Sequence, residues 1–215
     1  MSLEYTAKPG EVILTFDGDS PTKTNIFSST HSATEPLYTI HPEYQKSLGW
    51  HKATIIQKTA DAGSPAHLLA TIQYRSLTGD RIAFNTEEKT SPITVEKYLH
   101  GKLSHYEEFA FEDDKGTKYK WHSVDEHTTP KVGFAEFTLL HPHNCPQLYL
   151  AEDLSTPIAE LHSHGLNPSH AQHFHSKSIL VLSPQAVEIQ DQIIVSFIWL
   201  LNKNESWLAD PANVS

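Results

Sequence analysis

The stretch Ser183-Pro184-Gln185-Ala186-Val187-Glu188-Ile189-Gln190-Asp191-Gln192-Ile193-Ile194-Val195-Ser196-Phe197-Ile198-Trp199-Leu200-Leu201 decides the fold, because its last nine residues contain one polar side chain, Ser196. A helix that is apolar on every side must be buried on every side. The competing reading is a central β-strand, since Ile-Ile-Val-Ser-Phe-Ile-Trp is rich in strand formers. The flanks favour a helix: Ser183 suits an N-cap, Pro184 suits the first helical position, and Glu188 and Asp191 fall early, where the helix dipole favours acids. A buried helix over 184–202 is therefore expected, ended by Asn202-Lys203-Asn204, with Trp207 and Leu208 folding back beyond it. The apolar run is about half of the roughly 20 residues a membrane-spanning helix needs, so no transmembrane segment is expected.

Upstream the period is two rather than 3.6, in short runs separated by Gly, Pro, Asn, Asp and Ser. Strands are expected at 12–16, 24–27, 37–40, 52–57, 67–74, 81–84, 106–111, 118–122, 132–139, 148–150, 158–162 and 179–182. About twelve strands and one helix make a mainly β protein. The clearest hairpin has Phe109 and Phe111 alternating with polar residues, Asp113-Asp114-Lys115-Gly116 as the turn, and Tyr119 and Trp121 alternating on the return. Its aromatic face is expected to point inward. No stretch reads as a domain linker, so residues 1–215 are read as a single domain, a normal size for an undivided β-barrel.

Hydrophobic residues are 38% and charged residues 20% of the chain, enough to build a core and unlike a disordered composition. The formal net charge of −10, with Lys and Arg spread thinly, excludes the basic footprint of a nucleic-acid binder. Cys145 is the only cysteine, so no internal disulfide forms, and residues 1–10 lack the apolar core of a signal peptide. An intracellular, cytoplasmic protein is expected. Its fifteen histidines would cancel much of the negative charge on protonation near pH 6.

Several segments together resemble a family. Leu14-Thr15-Phe16 is followed by Pro36-Leu37-Tyr38-Thr39-Ile40, then by the hairpin from Phe111 through Lys115-Gly116 to Tyr119-Lys120-Trp121. Pro157-Ile158-Ala159 and a closing helix from Asp191 to Phe197 complete the set. The chain in these respects resembles the uncharacterised fungal family called domain of unknown function 6593, and the wider tubby C-terminal-like, or LURP-one-like, barrels. The resemblance spans nearly the whole chain and implies a twelve-stranded barrel closed around its C-terminal helix. It brings no catalytic residues. Tubby and the phospholipid scramblases are associated with lipids, so a lipid role is implied by analogy of fold. Scarce Arg and net negative charge argue against phosphoinositide as the lipid, because phosphate recognition favours clustered Arg and Lys.

The candidate chemistry lies in a histidine-rich loop over 162–176. His162 and His164 end a strand and alternate onto one face, and His170, His173 and His175 follow within reach of a folded-back loop. Imidazoles so grouped suit a transition metal, and Glu160 shares the face of His162 as a ligand or orienting carboxylate. The plainer reading is a polar surface loop that binds metal only adventitiously. The cupin pattern, His-x-His followed shortly by Glu, is not met, because Pro168 and Ser169 stand where the Glu is needed.

His141, His143 and Cys145 form a second small group that could pair a thiolate with an imidazole, with no orienting acid legible beside it. Lys115, Lys118 and Lys120 are balanced by Glu112, Asp113 and Asp114 and read as a solvated hairpin tip. Phosphate loops, nucleophile elbows and paired-cysteine zinc sites are absent from the sequence. Two functions follow as expectations: a non-enzymatic module binding a small molecule, lipid or protein, without a cofactor; or a metal-binding protein or metalloenzyme using the histidine-rich loop.

Overall fold

The structure, a computed structural model, describes residues 5–18, 20–44, 51–60, 63–75, 79–85, 92–99, 108–123, 146–162 and 178–208. The first strand shows how the sequence builds it. In β1 (Val12–Phe16), Val12, Leu14 and Phe16 are buried while Ile13 and Thr15 face outward, the two-residue period of a sheet with one core face. The strands that follow are β2 (Thr24–Ser28), β3 (Tyr38–Tyr44), β4 (His51–Lys58), β5 (His67–Gln73), β6 (Arg81–Phe84) and β7 (Ile93–Thr94). A single turn of helix, α1 (Val95–Tyr98), precedes β8 (Glu108–Glu112), β9 (Lys118–Ser123), β10 (Pro146–Leu150), β11 (Ala159–His162) and β12 (Ile179–Leu182). Two helices close the described chain, α2 (Pro184–Val187) and α3 (Gln190–Leu208).

All twelve strands form one antiparallel sheet in the order β7-β6-β5-β4-β3-β2-β1-β12-β11-β10-β9-β8. Every neighbour except the β1–β12 pair is next in sequence, so the sheet is a meander joined by the pairing of β12 with β1. Strands β7 and β8 end it, and among the described residues no ladder joins them. The two ends are nevertheless bridged. The Tyr98 ring of α1 lies 5.2 Å from Phe84 on β6 and 6.0 Å from Phe111 on β8.

The sheet wraps around α3. From Ile193 to Leu201 no residue is more than 8% exposed, Ser196 included. Phe197 packs between Phe16 of β1 and Trp121 of β9, with ring centres 5.8 and 5.5 Å away, and Trp199 meets Phe109 of β8 edge-on at 5.1 Å. Three polar anchors set its depth and rotation. Trp121 donates its indole N–H to Ser196 Oγ at 2.9 Å, Trp199 donates to Asp80 Oδ2 at 2.9 Å, and Asp191 accepts from Tyr38 and from Lys58. A helix without a polar face needs such anchors, because apolar contacts alone leave its rotation poorly specified.

The hairpin of β8 and β9 has the expected inward aromatic face. Phe109 lies opposite Trp121 and Phe111 opposite Tyr119, and all four are buried. Asp113 builds the turn by accepting the Lys115 and Thr117 N–H groups at Oδ1, both at 2.9 Å, and the Tyr119 hydroxyl at Oδ2, also at 2.9 Å. Gly116 supplies the positive φ of +82° that this tight turn requires.

Four expectations need correction or relocation. The C-terminal segment is a helix and not a strand, but it is broken in two: Ser183 caps only the four-residue α2, its Oγ accepting the Ala186 N–H at 3.4 Å, and α3 starts at Gln190. Asn202-Lys203-Asn204 does not stop α3, which runs to Leu208 and so includes Trp207. Polar residues without Gly or Pro leave the backbone hydrogen bonds free to continue. Strand β7 and helix α1 were not expected, being too short to show a period. The strand expected at 132–139 lies outside the described residues. Among the described residues no helix is long and apolar enough to cross a membrane.

Candidate functional site

Strand β11 carries the part of the histidine-rich group that the structure describes. Ala159 and Leu161 are buried, so alternation turns Glu160 and His162 outward, opposite Val181 and Ile179 of β12. The two side chains meet there, as their shared face implied: His162 Nε2 lies 3.3 Å from Glu160 Oε2, both side chains about one-third exposed. The approach is a close contact without the alignment of a hydrogen bond. Nε2 itself is shielded from solvent and has no partner of hydrogen-bonding geometry among the described residues.

The segment before β1 stands beside it. The Tyr5 ring covers the imidazole with centres 5.1 Å apart, and its hydroxyl donates to Glu11 Oε2 at 3.1 Å. Lys8 donates its backbone N–H to the same oxygen at 2.7 Å. That backbone donor, assisted by the Tyr5 hydroxyl against the effect of burial, holds the Glu11 carboxyl below its usual range. Burial, reinforced by Glu11, pushes the Tyr5 phenol up. The result is an outward cluster in which one imidazole stands near two carboxylates under an aromatic cover.

Such a cluster offers one nitrogen and carboxylate oxygens, donors that a first-row metal accepts. Among the described residues, however, no three His, Cys, Asp or Glu side chains converge on one ion position. His164, His170, His173 and His175 lie outside the described residues, as do His141, His143 and Cys145. Neither Tyr5 nor Glu11 was legible as a neighbour of His162. More than 150 residues separate them in sequence, and only the β1–β12–β11 pairing brings them together.

Of the hairpin-tip lysines, Lys115 is engaged within the fold. Lys115 Nζ pairs with Glu188 Oε2 at 2.7 Å, tying the tip to the link between α2 and α3, and Lys118 stands opposite Glu112 in the ladder. Inside the sheet, three polar groups that face α3 are bonded to it, while the Tyr98 hydroxyl and Gln192 Oε1 are buried without a hydrogen-bond partner among the described residues. Ser196, Trp199 and Asp191 meet Trp121, Asp80 and Tyr38 respectively.

No curated protein and no solved structure matches the chain. The family model described as "Family of unknown function (DUF6593)" matches residues 19–206, from just after β1 into the last turns of α3, and the chain belongs to that family.

Proposed function

We propose that this chain is a non-enzymatic binding module built on a tubby-like barrel, and that it takes its ligand or partner on the outside of the sheet. The observation that carries this reading is the occupied interior: α3 is buried on every side between 193 and 201, and Trp121, Asp80 and Tyr38, which face it, are already bonded to it. Ligand-binding barrels of this size otherwise hold their ligand in the lumen. Closure of the barrel is supported by Tyr98, which touches both ends of the sheet, and the tubby-like arrangement by the single apolar helix within twelve strands. A lone cysteine fits an intracellular, cytoplasmic setting.

One observation favours the second reading, a metal-binding protein. The Glu160 carboxylate beside His162 Nε2 is the kind of neighbour that orients a ligating imidazole. Metal analysis of untagged chain, purified without an immobilised-metal column, decides between the two. The binding-module reading expects no stoichiometric metal and no change in melting temperature on adding zinc. Stoichiometric metal that is lost in the His162→Ala/His164→Ala double variant, with a fall in melting temperature, would overturn it.

A further inference from the structure

Arg75 and Arg81 are the only arginines in a chain of net charge −10, and they follow the end of β5 and open β6, respectively. Ile72 and Ile82 are fully buried, so their sheet neighbours Gln73 and Arg81 point outward, and Gln73 lies directly opposite Arg81 in the ladder. Two residues beyond Gln73, Arg75 is exposed and donates Nη2 to Gln73 Oε1 at 3.2 Å. That bond uses the amide oxygen and leaves the Gln73 amide N–H groups as further donors between the guanidiniums. Thr94 of β7 lies opposite Arg81 on its other side and adds a hydroxyl to the same row.

Among the described residues nothing neutralises the positive charge here. Glu43 pairs with Lys52 at 3.6 Å, Asp80 is turned inward to the Trp199 indole, and Glu96 lies against Gly79. Among the described residues no carboxylate stands within ion-pair distance of either arginine. Arg81 Nε is moreover shielded from solvent with no hydrogen-bond partner among the described residues. A permanently charged guanidinium without an internal counter-charge keeps its remaining N–H groups as donors for an anion.

We propose that the outer face of the β5–β6 hairpin binds a phosphate monoester, held by the forks of Arg75 and Arg81 with the Gln73 amide between them. Two uncompensated positive charges call for a dianion rather than a single carboxylate, and guanidinium forks match phosphate oxygens in geometry. The site rests on the binding-module reading and gives it a ligand class.

Inorganic phosphate at about pH 7.5, where a phosphate is largely the dianion, is the probe. With ionic strength held constant by sodium chloride, phosphate is expected to raise the melting temperature saturably, and acetate to do so less. Arg75→Gln and Arg81→Gln should each weaken the apparent affinity about ten-fold, and the double variant should abolish the effect. Arg75 is exposed, so its variant decides the matter even if Arg81→Gln fails to fold. Phosphatidylcholine vesicles carrying phosphatidic acid, which has the same monoester headgroup, separate the sources. Sedimentation with them, lost in the double variant, assigns a lipid headgroup; a saturable shift without sedimentation assigns a soluble ester. No shift in the parent, or an equal shift in the double variant, overturns the site. That result combined with absent metal leaves the binding-module reading standing.

Discussion

Trp199 on the central helix donates its indole N–H to Asp80 at 2.9 Å, joining residues 119 apart at the turn that leads into β6. Asp80 is 5% exposed and also accepts the Arg75 backbone N–H at Oδ1, at 3.1 Å. One carboxylate thus fixes both the helix and the hairpin that carries the two arginines.

Asp80→Ala should therefore destabilise the fold by about 2–4 kcal/mol, because two donors lose a buried charged acceptor. Asp80→Asn keeps an acceptor and should cost less. Urea unfolding with an unchanged slope would confirm that stability, not the unfolded state, has moved.

Much of this fold was legible because its periodic signals are long or exclusive. The strands at 12–16, 81–84 and 179–182 have the expected bounds, and the all-round apolarity of 193–201 identified a buried helix. The break at Glu188-Ile189 was not legible, since nothing in those two residues forbids a helix. It follows from packing, with the Ile189 N–H turning back to the Ala186 carbonyl at 3.2 Å before α3 begins. At the candidate site, strand alternation alone paired Glu160 with His162. Tyr5 and Glu11 reach them only through tertiary pairing, which no local pattern records.

Ser196→Ala tests a second anchor. It removes the acceptor of the Trp121 indole in a fully buried setting, and a loss of about 1–3 kcal/mol is expected. Thermal unfolding with tryptophan fluorescence would report both the loss and the altered surroundings of Trp121. An unchanged midpoint would mean that the indole finds another acceptor.

Alkaline stability has a definite sign. Burial, with help from the Asp113 hydrogen bond and charge, pushes the Tyr119 phenol up to about 12, and burial pushes Tyr38, Tyr74 and Tyr98 up as well. A raised phenol pKa means that the folded state holds its proton where the unfolded state, near pH 10, releases it. The corresponding stability is complete below about pH 10 and falls as pH rises towards 12 and beyond. Absorbance near 295 nm should therefore show these four ionising only as the chain unfolds. Ionisation of all the tyrosines in one step near pH 10 would contradict their burial.

Phe197→Asp places a charge where Phe16 and Trp121 close over the helix. An unpaired buried charge costs several kcal/mol against a typical total stability of about 5–15, so soluble folded protein should not be recovered. A soluble variant with a cooperative transition would place residue 197 at the surface.

Native-state hydrogen exchange of the amides from Ile193 to Leu201 tests the filled interior most directly. Helix amides at residues that are all buried should exchange only when the fold opens globally, so they should be the slowest in the chain and share the free energy of global unfolding. Exchange of these amides at a much lower free energy than those of β1 and β12 would show that α3 leaves the sheet without unfolding it, and that the interior is open to a ligand after all.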